Sequence, residues 1–538
     1  MMIKTLLFLL ISIQTLSATA LRGVILLGPE SVPLERSGLK SVYGLDVEGV
    51  SLPMAPQILD RNIPWEESLD KDLILEIRKT IILAYQKAGR PLVLVEIPPQ
   101  DLSAGVLQLR VIEGKVGEII SKGNRWYGDP VYKRAIHLRE GCPIDEPRLL
   151  NDVSILNRNP FHRTEVLFVQ GSTEGTTNIE LINQDRFPLR AYMGGDNTGT
   201  REIDRGRLFS GFDWGCSYGF EQILSYQYCA SFNFSKFQSH TFRYFAILPW
   251  SHLLSLYGGF ATVVPNIPQF KSQGISGQGS LRYEIPLPNL FDHWLQQIQL
   301  GFDGKSTNNN LTFVGSGAFF VEKQTANLSQ FVLGYQIGWE VLNHKLGLNT
   351  LFFYSPGRML PNEEDFQLQN FRTGASNQYL YAMSGITYVF KLPDRFSFLF
   401  QSRFQKSSRP LLASEQIAIG GYDTVRGFDE RLYNGDNGVI GNFEFRTPDF
   451  PILHVCRDRR IKDRFSAHLF FDCGYADLIQ EIIEEPLHAF LSSTGAGIRY
   501  GIAEWFTARL DWGFKLHNVP SLGDTSIGKL HVGMILSL

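Results

Sequence analysis

From about residue 189 onward, apolar and polar positions alternate with period two, in short runs broken by glycine-rich and polar stretches. The alternation is plain in Phe396-Phe398-Phe400, in Phe506-Ala508-Leu510-Trp512-Phe514 and in Leu530-Val532-Met534-Leu536-Leu538. Between them stand Ser397, Gln401, Thr507, Arg509, Asp511, His531, Gly533 and Ser537. Period two predicts strands with one apolar face. In a soluble sandwich that face meets a second sheet; in a membrane barrel it meets lipid while the polar face lines a lumen. A stretch of about 350 residues with no second core predicts an all-β transmembrane barrel over 188–538. At roughly 22 residues per strand and connection, this makes about 16 antiparallel strands.

Residues 21–187 follow another pattern. Arg22 to Leu27 reads as a strand, and a helix follows from Ser68 as N-cap. Leu73, Ile74, Ile77, Ile81, Ala84, Tyr85 and Ala88 share one face of that helix, and Gly89 stops it. Strands Leu92–Ile97 and Gly105–Ile112 complete a small α/β unit over 21–117. A second unit over 118–187 repeats the order: a strand at Gly117–Ser121, a helix opened by Asp129-Pro130, another from Asp145, and strands at Thr164–Gln170 and Thr177–Ile182. Two such modules predict a duplicated domain, each too small for a deep catalytic pocket and each with a strand edge open to an added peptide strand.

The first 20 residues have Lys4, an apolar stretch from Leu6 to Ile13, and Ala18-Thr19-Ala20 before Leu21. This is the layout of a secretory signal peptide, 1–20, with an apolar core too short to span a bilayer. The five cysteines, Cys142, Cys216, Cys229, Cys456 and Cys473, are scattered and form neither a zinc pattern nor a disulfide framework. Only Cys216 and Cys229 are placed so that a bridge across neighbouring strands is open to them. A formal net charge of -3 leaves no basic stripe for nucleic acid. Gly304-Lys305-Ser306 tempts a phosphate-loop reading, but Gln299 stands where that motif needs glycine. HExxH and GxSxG are absent and the histidines dispersed, so no catalytic residue, metal site or cofactor is expected and the chain is not read as an enzyme.

The richest stretch is Gly420-Gly421-Tyr422-Asp423-Thr424-Val425-Arg426-Gly427-Phe428-Asp429-Glu430, followed by Asn434-Gly435-Asp436-Asn437-Gly438. Its glycines allow tight backbone geometry around Arg426. Downstream, Phe470-Phe471-Asp472-Cys473-Gly474 sets one acid in an apolar strand. On the residues alone two readings stand: an ordinary hairpin loop with an inward-facing strand aspartate, or an Arg426–Asp472 pair inside a lumen.

The VRGF string resembles the VRGY loop-6 motif of the outer-membrane assembly and secretion superfamily, and FFDCG is similar to its FxDxG barrel-wall motif. Within that superfamily, Ile97-Pro98-Pro99-Gln100-Asp101-Leu102-Ser103-Ala104-Gly105-Val106-Leu107, Val111-Ile112-Glu113-Gly114, Asn157-Arg158-Asn159-Pro160-Phe161 and Gly194-Gly195-Asp196-Asn197-Thr198-Gly199 resemble the two-partner secretion transporters, the TpsB family. The resemblance implies two periplasmic polypeptide-transport-associated (POTRA) domains and a 16-stranded outer-membrane barrel of a diderm bacterium. Its loop 6, around 420–438, would fold into the lumen.

It also implies site residues: Val425, Arg426, Gly427 and Phe428 in the loop, Phe470, Asp472 and Gly474 on the wall, and Pro98, Pro99, Gln100, Asp101, Leu102, Gly105, Glu113 and Gly114 in the first POTRA domain. The implied function is a haemolysin-secretion-like pore with porin-like conductance that exports a TpsA-like partner polypeptide without ATP. Further partners would be outer-membrane lipid and, during biogenesis, the barrel-insertion machinery. The alternative is a factor that inserts other barrels, although such proteins usually carry more POTRA domains. Three features depart from the family pattern. Phe428 replaces tyrosine, the first module leaves no evident room for a plug helix after the signal peptide, and the chain ends in Leu538 instead of an aromatic residue.

Overall fold

The computed structural model describes residues 19–39, 41–173, 175–201, 203–216, 220–264, 266–267, 270–287, 294–313, 324–453, 462–481 and 486–538. The expected signal peptide, apart from Thr19 and Ala20, and Cys456 lie outside the described residues. The chain divides into two compact units. One holds residues up to Asn124 with Tyr132–Ser154 and Thr164–Gln184; the other holds Arg125–Val131, Ile155–Arg163 and Asp185–Leu538.

In the first unit a four-stranded sheet runs Gly44–Glu48, Gly23–Leu27, Val106–Glu113, Val93–Glu96. Gly23–Leu27 pairs in parallel on both sides and is buried along its whole length, which is why it reads as an unbroken apolar run. The helix Lys71–Lys87 lays Leu73, Ile77, Ile81 and Tyr85 on the sheet, against Val24, Leu26, Leu107 and Leu109. Its N-cap is Asp70, whose carboxylate accepts the Leu73 N–H at 2.8 Å, and not Ser68. Ser68 forms a β-bridge with Ala20, leaving the cap to a carboxylate that also suits the helix dipole. The strand Gly44–Glu48 and the short helices Arg36–Leu39 and Pro56–Asp60 escape a periodicity reading because none completes two turns or a clean alternation. A second sheet, Lys115–Lys122, Thr176–Asp185, His162–Gln170, goes with the helices Asp129–Ala135 and Glu146–Leu156.

The second unit is a closed antiparallel barrel of 16 strands from Leu189–Asp196 to Gly528–Ser537. The two-residue segment Asn266–Ile267 merely extends one hairpin. The alternation now has its physical reason. Met534 and Leu536 point outward and are more than half exposed, at 57% and 53%, while His531, between Leu530 and Val532 on the same strand, is 1% exposed inside. An apolar face left bare all round a closed sheet is what lipid requires. No described helix is long and apolar enough to cross a membrane; the strands do the crossing.

Aromatic groups gather at both ends. Near the turns where the chain enters, Trp294, Trp339, His344, Tyr388 and Phe390 cluster, with Trp339 and His344 stacked at 6.2 Å. At the opposite end Tyr226, Tyr228, His240 and Phe260 do the same. Cys216 and Cys229 do not pair: Cys216 lies opposite Gln222 and Cys229 opposite Phe209, several positions apart along their strands, and both are free thiols. Adjacent strands alone do not bring two sulfurs together; equal register does.

Candidate functional site in the barrel lumen

The connection between Ser397–Ser407 and Asn437–Arg446 turns inward. Its stem is a small hairpin, Ile417–Ile419 with Tyr433–Gly435, and its tip carries Val425, Arg426, Gly427 and Phe428, all buried. Arg426 donates from Nε to Asp472 Oδ2 at 2.7 Å and from Nη2 to Oδ1 at 2.8 Å, a two-pronged bond, and its backbone N–H adds a third at 3.1 Å. Nη1 reaches Glu444 Oε1 at 2.7 Å and stands 3.5 Å from Asp511 Oδ1. The guanidinium lies over the Phe470 ring at 3.6 Å from its centre.

The wall groups are themselves held. Asn442 donates to Asp472 at 2.8 Å and to the Thr424 carbonyl at 2.5 Å. Arg446 pairs with Glu444, and His468 and Arg499 pair with Asp511. Phe470, Asp472 and Gly474 share the inner face because they are two residues apart, and each meets the loop. A Cβ on Gly474 would come within 2.9 Å of Val425.

Gly427 has φ 93°, and a Cβ there would stand 2.9 Å from the Gly513 carbonyl oxygen, so only glycine lets the tip lie on the wall. Phe428 is fully buried among Val425, Ile417, Ile419, Leu478 and Leu491, with Lys515 Nζ 5.0 Å from its ring centre. That surrounding is apolar, which explains a phenylalanine where the family pattern has a phenol.

On the sequence, Arg426 and Asp472 stand out as site residues, Asp511 and His531 only as polar positions of the alternation, and Glu444 not at all. Glu444, Asp511 and His531 each have the same signal as Asp472, one polar residue between two outward apolar ones: Phe443-Glu444-Phe445, Leu510-Asp511-Trp512 and Leu530-His531-Val532. His531 Nε2 accepts the Gly427 N–H at 3.1 Å.

The POTRA-motif residues separate in space. Pro98 to Gly105 form the turn between Val93–Glu96 and Val106–Glu113; Glu113 and Gly114 lie at the other end of that strand pair. Pro98 is buried and Pro99 exposed, and Leu102 packs against the core. The Gln100 amide donates to the Gln108 carbonyl and accepts its N–H, both at 2.7 Å, imitating a missing strand residue. Asp101 caps the Ser103 N–H at 2.9 Å, and Gly105, with φ 69°, closes the turn. Glu113 lies 3.6 Å from Arg90, and burial raises its pKa against that partner's pull. The Gly114 N–H donates to the Leu92 carbonyl at 2.8 Å. In the Asn157–Phe161 stretch, Arg158 reaches Glu284 at 3.1 Å and Asn159 reaches Glu221 at 2.7 Å.

With this geometry in view, the comparisons with known proteins are specific. Residues 300–500 match the family model described as haemolysin secretion/activation protein ShlB/FhaC/HecB, and residues 66–114 that of the ShlB-type POTRA domain. Over those residues the chain is similar to these secretion proteins. It is 23% identical over 352 residues to the outer membrane transporter CdiB of Dickeya dadantii, covering 63% of this chain and 60% of that one. To the heme/hemopexin transporter protein HuxB of Haemophilus influenzae it is 23% identical over 373 residues, covering 65% and 61%. The aligned part thus spans less than two thirds of these relatives' own length. Among solved structures, CdiB from Escherichia coli superposes with a TM-score of 0.77 at 17% identity, covering 98% of this chain and 92% of that one. CdiB from Acinetobacter baumannii gives 0.67 at 16%, covering 96% and 90%. The fold is shared with both. The bare apolar belt, the closed barrel and the POTRA match place the chain in an outer membrane with its modules in the periplasm.

Proposed function

We propose that the chain is a two-partner secretion pore, which takes a large partner polypeptide from the periplasm and passes it through the barrel to the cell surface. The observation that carries this reading is the inward loop, fixed in the lumen by Arg426 against Asp472, Glu444 and Asp511. The α/β modules joined to the same chain speak against a passive porin. The curated relatives named above are transporters, which supports the same class of activity. The periplasm supplies no ATP, so export runs downhill, drawn by folding of the exported chain outside. The α/β modules hold the partner extended, by strand addition at an open edge such as Val93–Glu96.

The rival reading, a factor that inserts other barrels, draws on the seam between the first and last strands. That seam has five paired positions, from Asp196↔Gly533 to Tyr192↔Ser537, whereas the pair beside it has nine. The test is co-expression with candidate secreted partners and assay of each in the medium. Export of one large partner supports the pore; no export, together with failing assembly of other barrels, supports the rival.

A further inference from the structure

A second connection at the same end of the barrel, residues 356–378 between His344–Ser355 and Tyr379–Lys391, also folds inward. Leu368 of its short helix, Asp365–Gln369, with Phe371 and Ala375, packs on the inner wall at Leu328, Val332, Phe353, Tyr379 and Tyr381, and beside Leu411 and Leu412 of the Arg426-bearing connection. Glu363, fully buried, fastens it to the wall, accepting the Ser329 N–H at 2.5 Å, the Ser329 hydroxyl at 2.6 Å, and the Met359 and Leu360 N–H groups at 2.8 Å.

Beyond that packing, an ion pair joins the two connections. Arg372 donates to both oxygens of Asp436, at 2.5 and 2.6 Å, and to the Leu411 carbonyl. Asp436 is fully buried and also accepts the N–H groups of Leu411 at 2.8 Å and of Ile479 at 2.9 Å, so it ties three neighbouring connections together. The Arg426 anchor lies elsewhere, at the tip of the same loop. An aspartate whose acceptor sites are taken by three loops is costly to expose, so parting the Arg372 pair loosens all three contacts at one residue.

We propose that residues 356–378 are a gate at the exit of the pore and that Arg372 and Asp436 are its latch, parting when a chain passes while the Arg426 anchor stays closed. This rests on the export reading above. The whole protein, purified and reconstituted in planar lipid bilayers, tests the latch without any partner. Arg372→Ala and Asp436→Asn each raise the open-state occupancy about tenfold or more, because each removes a bias toward the closed state, and Arg372→Lys falls between them and the parent. Heat-dependent gel mobility checks that each variant is a folded barrel.

In cells, a variant freed of its five native cysteines carries Arg372→Cys with Asp436→Cys. Bridging that pair with a short, reducible bifunctional thiol reagent stops export of the partner, and reduction restores it. Folded Ala and Asn variants that conduct like the parent, or a bridged pair that exports like the unbridged one, overturn the latch. If the bilayer results hold while neither parent nor unbridged variant exports any partner, the latch stands and the export reading falls.

Discussion

Arg426 meets three carboxylates, and this changes what its loss costs. Truncating Arg426 orphans Asp472, which keeps only Asn442 as a side-chain donor, whereas Glu444 keeps Arg446 and Asp511 keeps His468 and Arg499. Arg426→Ala is therefore expected to cost about 3 to 5 kcal/mol, most of it from Asp472 left buried and unpaired. Asp472→Ala costs less, because Arg426 retains Glu444 and Asp511. The double variant is little worse than Arg426→Ala, since it removes the orphaned charge. Arg426→Lys fails to restore function, because an ammonium cannot span the Asp472 and Glu444 contacts at once. A double-mutant cycle on secretion yield, with protease access to the loop read in parallel, checks this; additive losses would show that the residues act separately. Phe428→Ala leaves a cavity in the apolar cluster and loosens the same loop by about 3 to 5 kcal/mol, seen as lower temperature of the gel-mobility shift. At this scale the sequence was legible where a charge interrupts an apolar alternation. Asp436 was marked by its glycine-rich string but its partner was not; Arg372 and Glu363 were not legible, because they sit in an irregular connection where no period marks a buried polar residue.

Elements were readable in proportion to the regularity of their alternation. The helix Lys71–Lys87 and the regular alternations within Ser397–Ser407, Phe506–Lys515 and Gly528–Ser537 stood out, while Gly44–Glu48 and Pro56–Asp60 have too few residues to show a period. The loop 356–378 lacks any strand signal, so its inward fold follows from packing alone. Deleting residues 21–117 is expected to abolish secretion and leave a folded, conducting barrel, since the core of that module is its own. Secretion that survives would move recognition to the second module. A pH effect belongs here too. Asp185 accepts the backbone N–H groups of Arg125, Trp126 and Tyr127 at 2.7 to 2.9 Å. Burial works against its charge, but these donors outweigh it and hold its pKa below the ordinary carboxylate value. The stability it lends is complete above the unfolded pKa near 3.9 and is lost as pH falls through the lower folded value. Protection of the residue 125–127 amides, taken relative to unstructured amides at the same pH, is thus expected to hold down to about pH 5, to fall only in stronger acid, and to be low already at neutral pH in Asp185→Asn.

For the whole molecule, period two predicted a barrel and about 16 strands, and the closed sheet has that number. What alternation alone left open was whether the apolar face meets a second sheet or lipid, and the exposed outer residues decide it. The protein should fractionate with outer membranes and migrate faster on gels before heating than after, because a closed sheet has no edge from which detergent can unravel it. Recovery as a soluble periplasmic protein would contradict the fold. The claim that this pore serves one exported partner is tested most directly by quantitative proteomics of the medium, the cell surface and the outer membrane, with and without the gene. The expected result is that one large protein disappears from the medium and surface while the outer-membrane barrels keep their levels. An unchanged medium and surface, or a broad fall in outer-membrane barrels, would contradict it.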